Sequence, residues 1–377
     1  MRDEELLRTA EDPNLVVSLS DEDLRRLAVL RGMRCSNPSG VPRRELVGFV
    51  LGGSGSGSAG GARPERPLGR PAGGRRKALL IGINYRGTRS ELGGCITDTR
   101  YMNYCLCSRF RFEADQILML NEDQRNPYQV PTHDNILRAI EWLVSGSSPG
   151  DSLVFMYSGH GDQVRDNTGE ELDGMCETIL PLDHQRAGPI VDKELYVRMV
   201  APLGPGVRLF ALCDSCHSGT ILDLPYAFVP ELNPRGGWGQ SPWRPAARVF
   251  KGTSGGDAVC ISGCRDDQTS ADTRQLSGGQ ATTGAMLYSF IQCVEHGRAR
   301  TYGELITSMR QTIDHALKHG VSWGALANAG IQSMIFGPRI GMVMAAPSLA
   351  SAFTGGSVQV PQLSSAKEFD LRAPFGL

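Results

Sequence analysis

The chain lacks net charge. Its 377 residues set 39 Lys and Arg against 40 Asp and Glu, a formal balance of −1, so nothing global draws it toward nucleic acid or an anionic membrane. Long apolar runs are missing too. The least charged stretch, 321–357, keeps Arg339 as its one ionised side chain, but glycines, prolines, Asn328 and Gln332 break it up. It is therefore expected to be a surface insertion rather than a span, which needs about 18 or more consecutive apolar residues. No apolar leader follows the opening Met-Arg-Asp-Glu-Glu, and the ten cysteines form no evident disulfide framework. Both features point to a reducing, cytoplasmic setting and against secretion.

What is present changes along the chain. Residues 1–50 carry 8 basic and 9 acidic side chains, residues 51–77 carry 6 and 1, and the last 300 carry 25 and 30. Between 52 and 74, 15 of 23 residues are Gly, Ser or Pro, a composition unable to offset chain entropy by burial, and hence a linker. Before it, Ser20 and Asp23 form a capping-box-like start. Leu24, Leu27, Ala28 and Leu30 share one helical face, and Gly32 suits a stop. A second short helix is expected over 42–51, and the pair suits packing or protein contact.

From Lys77 onward short apolar runs at 78–83, 117–120, 153–157, 207–212 and 259–262 alternate with helical periodicity at 95–109, 133–144, 192–200, 284–296 and 301–318. Such alternation predicts an α/β fold, a mostly parallel sheet sandwiched by helices. In such sheets ligands sit beyond the carboxyl ends of the strands. Two loops meet that condition, Ser158-Gly159-His160-Gly161-Asp162 after one run and Cys213-Asp214-Ser215-Cys216-His217-Ser218-Gly219 after another. Parallel strands bring a histidine and a cysteine to the same sheet edge, and an imidazole can take the proton that a thiol must lose to become a nucleophile. Cys213-x-x-Cys216-His217 also has the spacing of haem attachment or half a zinc site. Haem attachment lacks an evident axial partner, and zinc lacks a second ligand pair, so neither is expected. Cys213 ends an apolar run and reads as a buried, inert thiol, which leaves Cys216 as the nucleophile.

These motifs, together with Leu222-Asp223-Leu224-Pro225, Ile261-Ser262-Gly263-Cys264 and Gln268-Thr269-Ser270-Ala271-Asp272, resemble the metacaspases over 77–377, and the short stretch after Cys216 is like type I. One departure is Cys35, the only cysteine before residue 77, where a Cys-rich zinc finger is common in plant-type relatives. The resemblance implies a caspase-like fold behind a short helical extension. Its parts would be a helical prodomain over 1–51, a basic linker over 52–76, a large-subunit-like region over 77–229, a cleavable loop over 230–257 and a small-subunit-like region over 258–377. It further implies an autoprocessing peptidase of the kind tied to programmed cell death, acting on proteins or peptides, expected to be monomeric, with no nucleic-acid partner.

By position, the resemblance makes His160 the general base and acid and Cys216 the nucleophile, with the N–H groups of Gly161 and Cys216 as the oxyanion hole. It places Cys95, Asp98, Ser158 and Asp214 in the pocket for the residue before the cut bond. Two carboxylates there call for a substrate Arg or Lys, whereas a caspase cutting after Asp needs basic residues. The family's calcium site aligns with four aspartates. Asp192 and Asp223 are present, but Cys176 and Lys193 replace the other two, which takes the formal ligand charge from about −4 to about −1. Calcium wants roughly six to eight oxygens, so weak calcium stimulation is expected, with Lys193 able to stand in for the ion by pairing with Asp192 or Asp223. Glu170, Glu171, Asp173 and Glu177 lie near enough in sequence to assist. The competing reading from another class is a scaffold that acts through its N-terminal helices and keeps the catalytic fold chiefly for binding.

Overall fold

The computed structural model describes residues 19–30, 74–171, 173–215, 219–228, 243–246, 248–263, 285–318 and 361–377. The chain divides into two units. In the first, helix α1 (Asp21–Leu30) starts as the sequence predicts. Ser20 Oγ accepts the backbone N–H of Asp23 at 3.1 Å and donates to the Asp23 carboxylate at 2.9 Å, which satisfies donors that a helix start leaves open. Leu24 and Leu27 are fully buried. The helix expected over 42–51 and the insertion expected over 321–357 lie outside the described residues.

The second unit is built on an eight-stranded sheet. Its strands are β1 (Arg76–Gly82), β2 (Ile117–Asn121), β3 (Ser152–Ser158), β7 (Arg208–Asp214), β8 (Tyr226–Phe228), β9 (Trp243–Pro245), β10 (Asp257–Ser262) and β11 (Gln362–Ser365), in the order β2-β1-β3-β7-β10-β11-β8-β9. The first five in that order are parallel, and β11, β8 and β9 extend the sheet in antiparallel fashion. A three-stranded antiparallel sheet of β4 (Gly161–Arg165), β5 (Met175–Ile179) and β6 (Ile190–Val191) leaves the end of β3.

Alternate residues of each parallel strand serve opposite faces, and both faces are covered. On one, Leu79, Ile81, Phe155, Tyr157, Leu209 and Ala211 share a core with Ile136, Ile140 and Leu143 of helix α3 (His133–Val144) and with Met199 and Val200. The last two lie in a single π-turn, 196–200, that continues the short helix α5 (Asp192–Leu195). Before it, α4 (His184–Ala187) fills the β5–β6 connection. On the other face Phe210 stacks on Phe290 of helix α6 (Ala285–Glu295) at 5.7 Å and meets Phe375 edge-on at 5.5 Å. Helix α2 (Cys95–Phe110) joins α6 through the Arg109–Glu295 ion pair, and α7 (Tyr302–Lys318) packs on α6. Each fully buried Leu, Ile or Phe of these layers contributes about 1.5–3 kcal/mol.

The chain order reverses between β1 and β3, which makes their carboxyl ends a switch point of the kind where ligands bind. Register fixes three strand ends in one row, with Gly82 opposite Ser158 and Ser158 opposite Asp214. A Cβ on Gly82 would meet the carbonyl oxygen of Cys95 at 2.3 Å, so this glycine lets the start of α2 sit directly on the end of β1.

Candidate active site

His160 follows β3 at the switch point. Its ring lies 4.7 Å from that of Tyr85, and its Nε2 is 2.7 Å from the carbonyl oxygen of Ser90. A carbonyl only accepts, so this contact puts the proton on Nε2 and leaves the lone pair on Nδ1. The backbone is held as firmly. His160 N–H donates to Tyr85 Oη at 3.1 Å, and its carbonyl accepts from Tyr157 Oη at 2.7 Å and from the Leu180 N–H at 3.1 Å. Tyr85 sits at a left-handed φ of 51°, and the Glu122 carboxylate steadies its loop by accepting the N–H groups of Asn84, Tyr85 and Arg86. Between Ser158 and His160 only glycine fits, because a Cβ on Gly159 would stand 2.7 Å from Tyr157 Oη.

The end of β7 lies alongside. Gly159 N–H donates to the Asp214 carbonyl at 3.4 Å, so the loop carrying His160 and the strand leading to Cys216 leave the sheet together. Cys216, His217 and Ser218 lie outside the described residues. Gly161 opens β4 opposite Ile179. Cys213 is fully buried on β7 beside Cys260, and its hydrogen bond with Cys260, then burial, raises its thiol well above the usual range.

Three of the four expected pocket residues meet at the row of strand ends. Ser158 Oγ donates to Asp98 Oδ2 at 2.8 Å, and Asp214 Oδ2 accepts the N–H of Leu287 at 3.3 Å in the first turn of α6, where a carboxylate is favoured. Burial, then the nearby Asp214 charge, pushes the Asp98 carboxyl up to about 8. Cys95 shares the first turn of α2 with Asp98, but its thiol is fully buried in the core that holds Tyr85 and Tyr157.

A second acidic group gathers on the β4–β5 side. Lys193 Nζ lies 2.8 Å from Asp166 Oδ1 and 3.3 Å from Glu170, and also contacts Thr168. Lys251 Nζ pairs with Asp223 and lies 2.8 Å from Glu170. Asp166 is held well below the usual carboxylate range by the Glu171 N–H, Lys193 and Thr168, and Glu170 is lowered by both lysines. Among the described residues, the atoms of metal-ligand type that converge within 4.8 Å belong to Glu171, Cys176 and Asp192. Burial first, then neighbouring carboxylates, raises the Glu171 and Asp192 carboxyls to about 7, while burial with Asp192 raises the Cys176 thiol to about 12. Two carboxyls and a protonated thiol do not fit calcium, a hard ion that seeks many oxygens. Sequence reasoning expected Lys193 beside Asp192 or Asp223. Its ammonium reaches Asp166 and Glu170 instead, and Asp223 is taken by Lys251.

Tyr85, Ser90 and Glu122, which frame His160, were not singled out from sequence. Their one signal is position, since they follow β1 and β2 at the switch point. Asp166 and Lys251 were also missed as a charge cluster, because 57 and 85 residues in sequence separate them from Asp223 and Asp166 respectively.

The sequence that builds this site matches a known peptidase family. The model of the metacaspase, peptidase C14 domain, matches residues 76–225. Metacaspase-1 of Arabidopsis thaliana is 44% identical over 306 residues, covering 81% of this chain and 79% of that protein. Metacaspase-2 of the same plant is 48% identical over 243 residues, 64% of this chain and 57% of its own. Metacaspase-1B of Neurospora crassa is 42% identical over 275 residues, 64% of each. A solved Geobacter sulfurreducens structure overlaps with a TM-score of 0.42 and 23% identity, over 63% of this chain and 88% of that one. The chain belongs to the metacaspases, and it is a cysteine peptidase acting on proteins. No helix among the described residues is long and apolar enough to cross a membrane.

Proposed function

We propose that this metacaspase cuts peptide bonds after Arg, and less well after Lys, through Cys216 and His160. The observation that carries the reading is the buried pair Asp98 and Asp214 beside Ser158. Buried carboxylates that sense one another resist being ionised together, and burial first, then the Asp214 charge, raises the Asp98 carboxyl to about 8. A substrate cation removes that resistance. A guanidinium can donate paired hydrogen bonds to both acids, whereas an ammonium offers a point charge, so Arg is favoured over Lys.

The chemistry follows from the tautomer. With its proton on Nε2 held by Ser90 O, His160 presents Nδ1 as the base that takes the Cys216 proton. The thiolate attacks the scissile carbonyl, and the N–H groups of Gly161 and Cys216 receive the oxyanion. His160 then returns the proton to the leaving amine, and water completes hydrolysis of the acyl-enzyme.

Self-processing belongs to the same reading. Candidate cuts follow Arg70, Arg75 and Arg76 in the linker and Arg235, Arg244, Arg248 and Lys251 in the 230–257 loop. Lys251 suits this least because its ammonium is committed to Asp223 and Glu170. Arg75 is tied to Asp151, and Arg76 is already paired in β1. Cleavage favours accessible chain; Arg244 is paired in β9 and Arg248 N–H is held by the Glu170 carbonyl, so fragments ending at Arg70 or Arg235, which lie in Gly- and Pro-rich sequence, are expected by mass spectrometry. The deciding experiment offers matched Arg, Lys, Asp and neutral peptide reporters to the parent protein and to Cys216→Ala. Cleavage of Arg over Lys, lost in the variant, is expected. Equal cleavage after neutral residues, or activity that survives in Cys216→Ala, contradicts the proposal.

A further inference from the structure

Beside the position of the family's calcium site, three carboxylates of this chain, Asp166, Glu170 and Asp223, meet lysine ammonium groups. Lys193 draws Asp166 and Glu170 together, and Lys251 draws Glu170 and Asp223 together, so Glu170 links two ammonium groups in one chain of charges. The lysine side chains are only 22% and 13% exposed, and Asp166 and Asp223 are 1% exposed. Exposed ion pairs contribute little, but removing one partner of a buried pair leaves a charge stranded at high cost.

This chain of charges reaches the nucleophile loop. Asp223 has a left-handed φ of 51° and its N–H donates to the Thr220 carbonyl. Thr220 Oγ1 donates to Glu177 at 2.7 Å, and the Glu177 N–H donates to Asp192 at 2.9 Å. Thr220 stands four positions after Cys216. The segment bearing Lys251 is pinned independently, by Arg248 N–H on the Glu170 carbonyl at 3.1 Å and Tyr196 Oη on the Gly252 carbonyl at 2.7 Å.

We infer that Lys193 and Lys251 are built-in counter-cations that hold the acidic β4–β5 connection to the segment behind Cys216, so this metacaspase assembles its active site without a divalent ion. Lys193 and Lys251 are positioning residues. The inference rests on the reading of Cys216 as nucleophile, but its test reads metal binding separately from turnover.

The experiment compares the full chain with Lys193→Met, Lys193→Arg and the pair Cys176→Asp with Lys193→Asp. Each is melted, titrated with calcium by calorimetry, and assayed on an Arg peptide in chelator and in roughly 1 mM calcium, the scale of weak protein sites. In the parent, turnover and melting temperature are expected to change less than about twofold and about 2 °C respectively on adding calcium. Lys193→Met should lose about tenfold in turnover, unrestored by calcium, and Lys193→Arg should recover it. The double variant should be weak in chelator and regain activity with calcium, with a rise in melting temperature, because two new carboxylates join Asp192 and Asp223, whose Oδ1 has no hydrogen-bond partner among the described residues. A parent that loses activity in chelator and binds calcium tightly overturns the inference, as does Lys193→Met at full turnover. If no form cleaves Arg peptides, the proposed function fails, while calorimetry and melting still decide the role of the lysines.

Discussion

Two acid clusters in the catalytic unit have opposite fates. Asp98 and Asp214 meet at the strand ends with Ser158 and the start of α6, and Asp98 is pushed up to about 8. Asp166, Glu170 and Asp223 meet two ammonium groups, and Asp166 and Glu170 are lowered while burial still raises Asp223. The residue type is the same. On the proposed function, the first cluster leaves its need for a cation to be met by the substrate and so selects it. In the second, the chain's own lysines meet that need, which makes it a brace.

The largest break in this comparison removes the chemistry that the selector serves. Cys216→Ala and His160→Ala should each lower peptide turnover by roughly a thousandfold or more, with melting curves close to the parent's, while Cys213→Ala keeps activity. Next, Asp98→Asn or Asp214→Asn should lower kcat/KM for Arg peptides by on the order of a hundredfold, since each removes one charged acceptor of the guanidinium. Gly159→Ala comes third. Its Cβ would press on Tyr157 Oη and shift His160, at a cost of about 1–3 kcal/mol in stability and on the order of tenfold in turnover.

The smallest effects separate the clusters by sign. The folded Asp98 pKa of about 8 lies above its unfolded value of 3.8, so between those values the unfolded chain is ionised while the folded one holds a proton. Stability from this group therefore falls as pH rises through that window. Asp98→Asn removes the penalty and should melt higher than the parent at pH about 9, with little difference near pH 4. Glu170 behaves in reverse, because its folded pKa is lowered. Its contribution is present at neutral pH and fades as pH falls through the unfolded value toward the folded one, so Glu170→Gln should melt lower than the parent at pH 7 and match it in strong acid.

The sequence made the centre of the sheet legible because its strands are buried on both faces. Ala78, Leu79, Leu80 and Ile81, and likewise Leu153–Tyr157, form unbroken apolar runs, and the strands and helices expected from Lys77 onward lie within a few residues of those observed. The rest is quieter. Gly161–Arg165 is a polar GDQVR run, β6 has two residues, and Gln362–Ser365 reads QLSS, so the small sheet and the antiparallel edge leave no periodic trace. At the site, Asp98 and Ser158 were legible through motif and position. Lys251 was not, since its sequence setting reads as a cleavable loop and only the fold brings it to Asp223. The same holds for Tyr85, whose hydroxyl reaches His160 across 75 residues.

On the proposed function, Asp98 waits, protonated, for a substrate cation. Calorimetry tests it directly, by binding an Arg-ending peptide to the full-length Cys216→Ala protein at pH 7 in buffers of different ionisation enthalpy. Since the free carboxyl sits at about 8, binding of the guanidinium at pH 7 should release close to one proton, falling as pH rises through about 8, and none when Asp98→Asn is added. No release at pH 7, or the same release in the Asp98→Asn background, would contradict the account.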